Sequence, residues 1–196
     1  GLTVHVVEAA ERLLARVASP DMSAFFQELH QRQGVIIHTG MTETKFHQKD
    51  VLFTGITLDT GEQISAELLL VGIGVVPESV LADAIGAETG NGILVDRQMR
   101  TTIEDVYAIG DVALLDGAVL RVESVHNAQD TAARAAADIA KTPLPDISIP
   151  WFWSEQYDVR LQSAGFVEAG KDDIRYAVRP GKREGGMSVW SYHSGQ

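Results

Sequence analysis

Cysteine is absent from all 196 residues, which excludes a disulfide framework, a thiolate zinc site and a dithiol redox centre within this stretch. Basic residues are scarce: 16 Lys and Arg stand against 27 Asp and Glu, a net charge of −11. The acids are spread along the chain, and phosphate binding needs a basic surface, so no nucleic-acid partner is expected. No apolar run approaches the roughly 20 residues of a membrane span, and no signal peptide is visible. A cytoplasmic protein with no membrane association is the expectation. The six histidines (5, 30, 38, 47, 126 and 193) show no HxxxH spacing, and no metal is expected. The fingerprint G-x-G-x-x-G is also missing. Its closest approach, Gly72-Ile-Gly74-Val-Val-Pro77, lacks the third glycine and runs into proline rather than a helix.

What is present is ordinary globular composition, 45% hydrophobic and 22% charged, enough for one large domain or parts of two. Residues 2–7 are apolar and predict a buried strand ending at Glu8. A helix follows, with Ser19 as N-cap, Pro20 in its first position, Asp21 in its first turn and Gly34 after its end. Met22, Phe25, Phe26 and Leu29 recur at helical spacing and predict its buried face. Residues 35–38 are the next strand, completing a β–α–β unit and implying a parallel sheet.

From residue 42 to 66 the pattern becomes an antiparallel meander, with Asp59-Thr60-Gly61 as the turn between strands 51–58 and 63–65. Residues 67–77 predict a buried strand leaving over two glycines and a proline. A linking region with Gly86, Gly90 and Gly92 precedes a short strand at 93–96. An alanine-rich helix runs over 131–141, starting near Asn127. Pro143, Pro145 and Pro150 mark a linker, and alternating strands follow at about 158–166, 173–178 and 187–193.

The most informative stretch is Val106-Tyr-Ala-Ile-Gly-Asp-Val-Ala113. It predicts an apolar strand over 106–109 that runs into Gly110, where a missing Cβ lets a ligand approach the backbone. Asp111, at the strand's end, is placed to accept hydrogen bonds from a polyol such as a ribityl chain. A strand ending in a plain turn is the competing reading. Downstream, Val122-Glu-Ser-Val-His-Asn-Ala128 leads into the helix, whose N-terminus carries partial positive charge and free backbone N–H groups. A capped surface helix is the alternative there. Trp151 and Trp153 share one face of an extended segment.

Three blocks together resemble the ferredoxin-reductase type of the FAD-dependent pyridine nucleotide-disulfide oxidoreductases. They are Val71-Gly-Ile-Gly-Val-Val-Pro77, the Gly110–Asp111 and Glu123–Val125 pair, and Pro150-Trp-Phe-Trp-Ser-Glu-Gln156 with Leu161-Gln162. The resemblance implies an α/β fold: a partial two-dinucleotide-binding-domain flavoprotein (FAD/NAD(P)-binding) with a β-meander, plus an incomplete α+β C-terminal domain. It implies residues 1–75 as the later part of an NAD domain and 76–148 as the returning half of an FAD domain. Residues 149–196 would be a partial C-terminal interface domain, and the chain a C-terminal piece whose glycine loop lies before residue 1.

By the same resemblance, Glu8 bonds the adenosine ribose and favours NADH over NADPH. The competing reading for Glu8 is a carboxylate at a helix N-terminus, and Arg12 and Arg16 either reach a phosphate or lie solvated on an amphipathic helix. Ile73 and Gly74 would contact the nicotinamide end, where a plain turn is the alternative. Gly110 and Asp111 would anchor FAD, Ser124 and Val125 would flank the flavin, and Glu123 would lie near the nicotinamide. Trp153 would line the flavin–nicotinamide site, with Trp151 as its packing residue. No side chain is implied as a catalytic acid, base or nucleophile. The implied function is hydride transfer from NADH to flavin N5, then single electrons to a ferredoxin or rubredoxin partner, with a homodimer possible. The alternatives are a monodehydroascorbate or nitrite reductase-like enzyme, or a non-enzymatic binding module like apoptosis-inducing factor. Arg175, Arg179, Lys182 and Arg183 offer either a basic steering patch for an acidic carrier or a solvated strand edge.

Overall fold

The computed structural model describes residues 1–118, 120–146, 148–165, 174–181 and 186–193. The architecture is α/β, and the chain divides into two units, residues 1–72 with 167–196 and residues 73–166.

In the first unit, β1 (His5–Glu8) and β2 (Ile36–Thr39) are parallel neighbours, with Val7 opposite His38 and Glu8 opposite Thr39. Helix α1 (Pro20–Arg32) connects them, as the β–α–β pattern requires. The Ser19 side chain accepts the Met22 N–H at 3.3 Å, the expected N-cap. Phe26 and Leu29 are buried and Met22 and Phe25 half-buried, the expected face. Between β1 and α1 the chain forms turns, not the amphipathic helix considered for Arg12 and Arg16. Leu14 has a φ of 55° there, which breaks a helix.

Strands β3 (Glu43–Lys49), β4 (Leu52–Leu58) and β5 (Gln63–Ser65) form the expected antiparallel meander in that order. Gly61, with a φ of +85°, closes the Asp59–Gly61 turn by donating to the Leu58 carbonyl at 2.9 Å. Ile56, Leu58 and Ile64 form a core with Val7, Met41 and Phe53 packed against it, which joins the meander to β1.

Residues 67–77 are not a buried strand. They pair with no other strand among the described residues, and Leu68, Leu70, Ile73 and Val76 are 76%, 87%, 90% and 91% exposed. Apolar content alone does not make a strand, because the backbone N–H and C=O groups need a neighbour.

After residue 77, within the second unit, a linking region was expected. Instead this stretch contains α2 (Val80–Ala84) and the hairpin of β6 (Thr89–Gly90) with β7 (Gly92–Val95). Strand β8 (Ala113–Leu115) then adds parallel to β7. The expected strand over 106–109 is reduced to one bridge, Arg100 with Tyr107. Asp105 and Gly110, with φ of 60° and 70°, break the extended backbone on both sides of it. Helix α3 (Val125–Ile139) starts two residues before the expected Asn127, because Ser124 is the cap. Val95, Met99, Ala108, Ala113 and Ala135 form the core beneath it.

The proline-marked linker is pinned. Arg134, 7% exposed, donates from Nε to the Arg97 carbonyl at 2.8 Å and from Nη1 to the Pro145 carbonyl at 2.5 Å. Strands β9 (Trp151–Gln156) and β10 (Val159–Ala164) then pair antiparallel, with Trp153 opposite Gln162. Residues 167–196, which group with the first unit, carry the antiparallel pair β11 (Ile174–Pro180) and β12 (Met187–His193). Arg175 and Arg179 are exposed on β11, whereas Lys182 and Arg183 lie outside the described residues.

Candidate dinucleotide site

Asp111 does not sit at the end of a strand. Gly110, Asp111 and Val112 form one turn of 3-10 helix before β8. Gly110 takes a φ of +70°, and a Cβ there would meet the Ala128 Cβ at an ordinary 3.7 Å. The positive φ calls for glycine there, and the surrounding protein leaves ordinary room beside its backbone. Its buried N–H donates to the Thr131 hydroxyl at 2.9 Å, and that hydroxyl donates in turn to the Asn127 carbonyl at 2.7 Å. The Gly110–Asp111 turn is thus tied to α3, with the Asp111 residue exposed.

The other half of the site is the start of α3. The Ser124 hydroxyl accepts the Asn127 N–H at 3.1 Å, and the Ser124 carbonyl accepts the Ala128 N–H at 3.0 Å. Helix geometry gives the Val125 and His126 amides no acceptor within the helix. The first turn of α3 contains no acidic residue, whereas α1 has Asp21. The positive end of the α3 dipole is therefore uncompensated by its own helix.

Arg121 joins the two halves, and the sequence reading missed it. Its side chain is 4% exposed. Nη1 donates to the Asp111 backbone carbonyl, and Nη2 meets Glu123 Oε1 at 2.9 Å. Nε is buried without a partner among the described residues. A Cβ on Gly92 (φ +137°) would stand 2.5 Å from Arg121 Cδ and 2.7 Å from the Val112 carbonyl oxygen. The only sequence signal is an arginine between apolar neighbours, Leu120-Arg-Val122, just ahead of the acid.

The aromatic residues approach the same helix end. Trp151 and Trp153 share a face of β9 with ring centroids 5.1 Å apart, as their spacing predicts. Trp151 also lies 5.7 Å from the His126 ring in the first turn of α3, while Trp153 is 42% exposed. Gly110, Asp111, Glu123, Ser124, Val125 and the tryptophan pair thus belong to one neighbourhood of the second unit.

Ile73 and Gly74 lie before it in the chain. Both stand on the exposed run, where Gly74 takes a φ of +103°. Glu8 belongs to the first unit. Its half-buried carboxylate accepts the Ala10 N–H at 2.8 Å, so it closes a turn instead of capping a helix. Arg12 is committed elsewhere, donating to the Ala18 carbonyl at 2.7 Å, Ser23 Oγ at 2.6 Å and the Ala15 carbonyl at 3.1 Å.

A cleft elsewhere in the second unit is lined by Glu88, Asp96, Arg100, Thr101, Thr102 and Asp116. Three carboxylates make it a poor seat for a pyrophosphate. Beside it the Arg100 guanidinium forks onto Asp138, and the Tyr107 hydroxyl donates to the same carboxylate at 2.6 Å. The Arg100 bond, then the Tyr107 bond, hold the Asp138 carboxyl down at a pKa of about 2. This is a structural clasp between residues 100–107 and α3. His5 Nδ1 and His38 Nε2 meet at 3.1 Å across β1 and β2. No group of three or more His, Cys, Asp or Glu side chains among the described residues is arranged to hold a metal ion.

With this geometry in hand, comparison with known proteins places the chain. The family described as pyridine nucleotide-disulphide oxidoreductase matches residues 1–132, about two thirds of the chain. The chain belongs to that family. The reductase C-terminal domain matches residues 151–196, the segment that begins at the tryptophan pair. Among curated relatives, the 5,5'-dehydrodivanillate O-demethylase ferredoxin reductase subunit of Sphingobium sp. is 43% identical over 89% of this chain and 44% of its own length. Rhodocoxin reductase of Rhodococcus erythropolis is 39% identical over 98% of this chain and 45% of its own. Among solved structures, the ferredoxin reductase for the CYP199A2 system of Rhodopseudomonas palustris superposes with a TM-score of 0.90 at 38% identity, covering 100% of this chain and 48% of that one. The covalent putidaredoxin reductase–putidaredoxin complex gives the same TM-score at 33% identity, covering 98% and 47%. The chain therefore spans a little under half the length of the relatives it matches. Its fold is part of the FAD/NAD-binding fold of this oxidoreductase family.

Proposed function

We propose that this chain is part of an NADH-dependent flavoprotein reductase that passes electrons to a ferredoxin- or rubredoxin-type carrier. The observation that carries the reading is the convergence of two turns, Gly110–Asp111 and Glu123–Val125, on the N-terminal end of α3, whose own first turn carries no acidic residue. The curated relatives named as ferredoxin, rhodocoxin and rubredoxin reductases support the same reading.

The residues present suit an FAD. Asp111 offers an exposed carboxylate to a ribityl hydroxyl. The Val125 and His126 amides, with the helix dipole, suit an electron-rich ring edge. Ser124 fixes that helix end through its bond to Asn127. Trp153 supplies an exposed aromatic wall, backed by Trp151. When bound, the flavin supplies the chemistry that converts a two-electron hydride donor into one-electron steps.

Glu8 is the residue we assign to the nicotinamide dinucleotide, as acceptor for an adenosine ribose hydroxyl. A carboxylate there repels a 2′-phosphate, and Arg12 is already engaged within its own loop. Ile73, Gly74 and Glu123 are assigned to the nicotinamide end. The three-part organisation, with boundaries near 75 and 148, is part of the same proposal.

The test is made on the full-length protein. It is expected to purify with bound FAD and to oxidise NADH in the presence of a ferredoxin or rubredoxin. A protein without flavin, or one that reduces no such acceptor, rejects the reading.

A further inference from the structure

We propose that Arg121 is a positioning residue that holds the Gly110–Asp111 turn and the Glu123 carboxylate in one geometry. The ligands named below rest on the proposed function; the positioning itself rests on the structure.

A buried guanidinium needs several acceptors to offset its desolvation. Arg121 has two: the Asp111 carbonyl through Nη1 and Glu123 Oε1 through Nη2. Among the described residues its Nε is buried without a partner, an unfavourable state for a donor. A side chain kept in place at that cost is fixed by what its other two nitrogens hold. Those are one residue from each half of the site, separated in sequence by Val112 to Val122 and joined here through one planar fork. A guanidinium suits this because its donors are rigidly spaced, whereas an ammonium is a point charge.

The side chain runs close along the sheet edge. At Gly92 a Cβ would stand 2.5 Å from Arg121 Cδ, as well as 2.7 Å from the Val112 carbonyl and 3.2 Å from Leu114 Cβ. Gly92 opens β7, whose parallel neighbour β8 directly follows the Gly110–Val112 turn. The sheet edge, the Asp111 turn and the Glu123 turn are therefore registered through one side chain. Glu123 also gains its direction this way, since its carboxylate is only 32% exposed and paired to Arg121.

Two measurements test this. The first is hydrogen exchange on the full-length protein without any dinucleotide. Arg121→Met is expected to speed exchange at least about tenfold, or ~1.4 kcal/mol, for the amides of both turns. Unchanged exchange, or acceleration spread evenly over residues 73–165, would overturn the proposal. The second is affinity for FAD and NADH in the full-length protein. Arg121→Met should weaken both about tenfold. Arg121→Lys should recover NADH affinity to within about threefold through Glu123 while FAD affinity stays low. Glu123→Gln should weaken NADH alone. If Met serves as well as Lys, the side chain merely fills space and the proposal fails. A wild-type protein that binds neither dinucleotide sinks the functional reading alone, and exchange still decides the role of Arg121.

Discussion

The buried N–H of Gly110 ends on the hydroxyl of Thr131, 2.9 Å away on α3. A threonine inside a helix ordinarily returns its hydroxyl to its own backbone. Here the hydroxyl does so, to Asn127 at 2.7 Å, and still receives Gly110. Thr131→Val, which keeps the shape, leaves the Gly110 donor unsatisfied and should destabilise by about 1–3 kcal/mol. Thr131→Ser should lose less than half of that. Urea unfolding of the three proteins provides the comparison, and equal midpoints for wild type and the valine variant would contradict it.

The pair Glu8 and Arg12 separates cofactor choice from loop stability. Glu8→Gln is expected to lower kcat/KM for NADH about tenfold in the full-length protein, with a smaller change for NADPH. Arg12→Ala removes donors from Ala15, Ala18 and Ser23 and should cost about 1–3 kcal/mol of stability. Its NADH to NADPH preference should move less than about twofold. A selective loss of NADPH use in Arg12→Ala would show that the arginine reaches the cofactor after all.

Asp138 gives the second unit an acid limb. Its carboxyl sits at about 2 because Arg100, then Tyr107, bond the charged form, whereas an unfolded Asp titrates near about 3.9. A depressed folded pKa contributes stability that is complete above the unfolded value and is lost as pH falls through the folded one. Urea midpoints should therefore fall between about pH 4 and pH 2, and Asp138→Asn should flatten that decline. A variant with the wild-type slope in this window would exclude the clasp as its source.

The 196-residue chain alone is expected to bind FAD weakly. It contains no G-x-G-x-x-G loop to cradle a pyrophosphate. Titrating flavin at about 10 µM should give no saturable quenching, in the micromolar sense of affinity. Stoichiometric flavin in the purified chain would prove this wrong.

Local order was legible where the signal was local. Ser19, Pro20 and Gly34 marked α1 to the residue, and Asp59-Thr60-Gly61 marked the meander turn. Two strands failed where an apolar run was the argument. Residues 67–77 have the composition of a strand without a described neighbour, and residues 106–109 are closed off by the positive φ of Asp105 and Gly110. Composition does not report pairing, which is a property of distant chain. The site was legible in its motif residues but not in their supports. Asp111, Glu123, Ser124 and Trp153 stood out because their types suit a ligand. Arg121, Thr131 and Gly92 act through contacts 10 or more residues away, and a sequence read in short windows has no term for that.

The Arg134 bond to Pro145 changes what the proline-rich stretch means for recognition. A free connector would leave Trp151 and Trp153 to find α3 anew at every encounter, and each ordering event would weaken binding. With Arg134 gripping both Arg97 and Pro145, that loss of freedom falls at folding, before any ligand arrives. The aromatic wall is then preorganised, and whatever meets it encounters a surface whose entropy has already been spent.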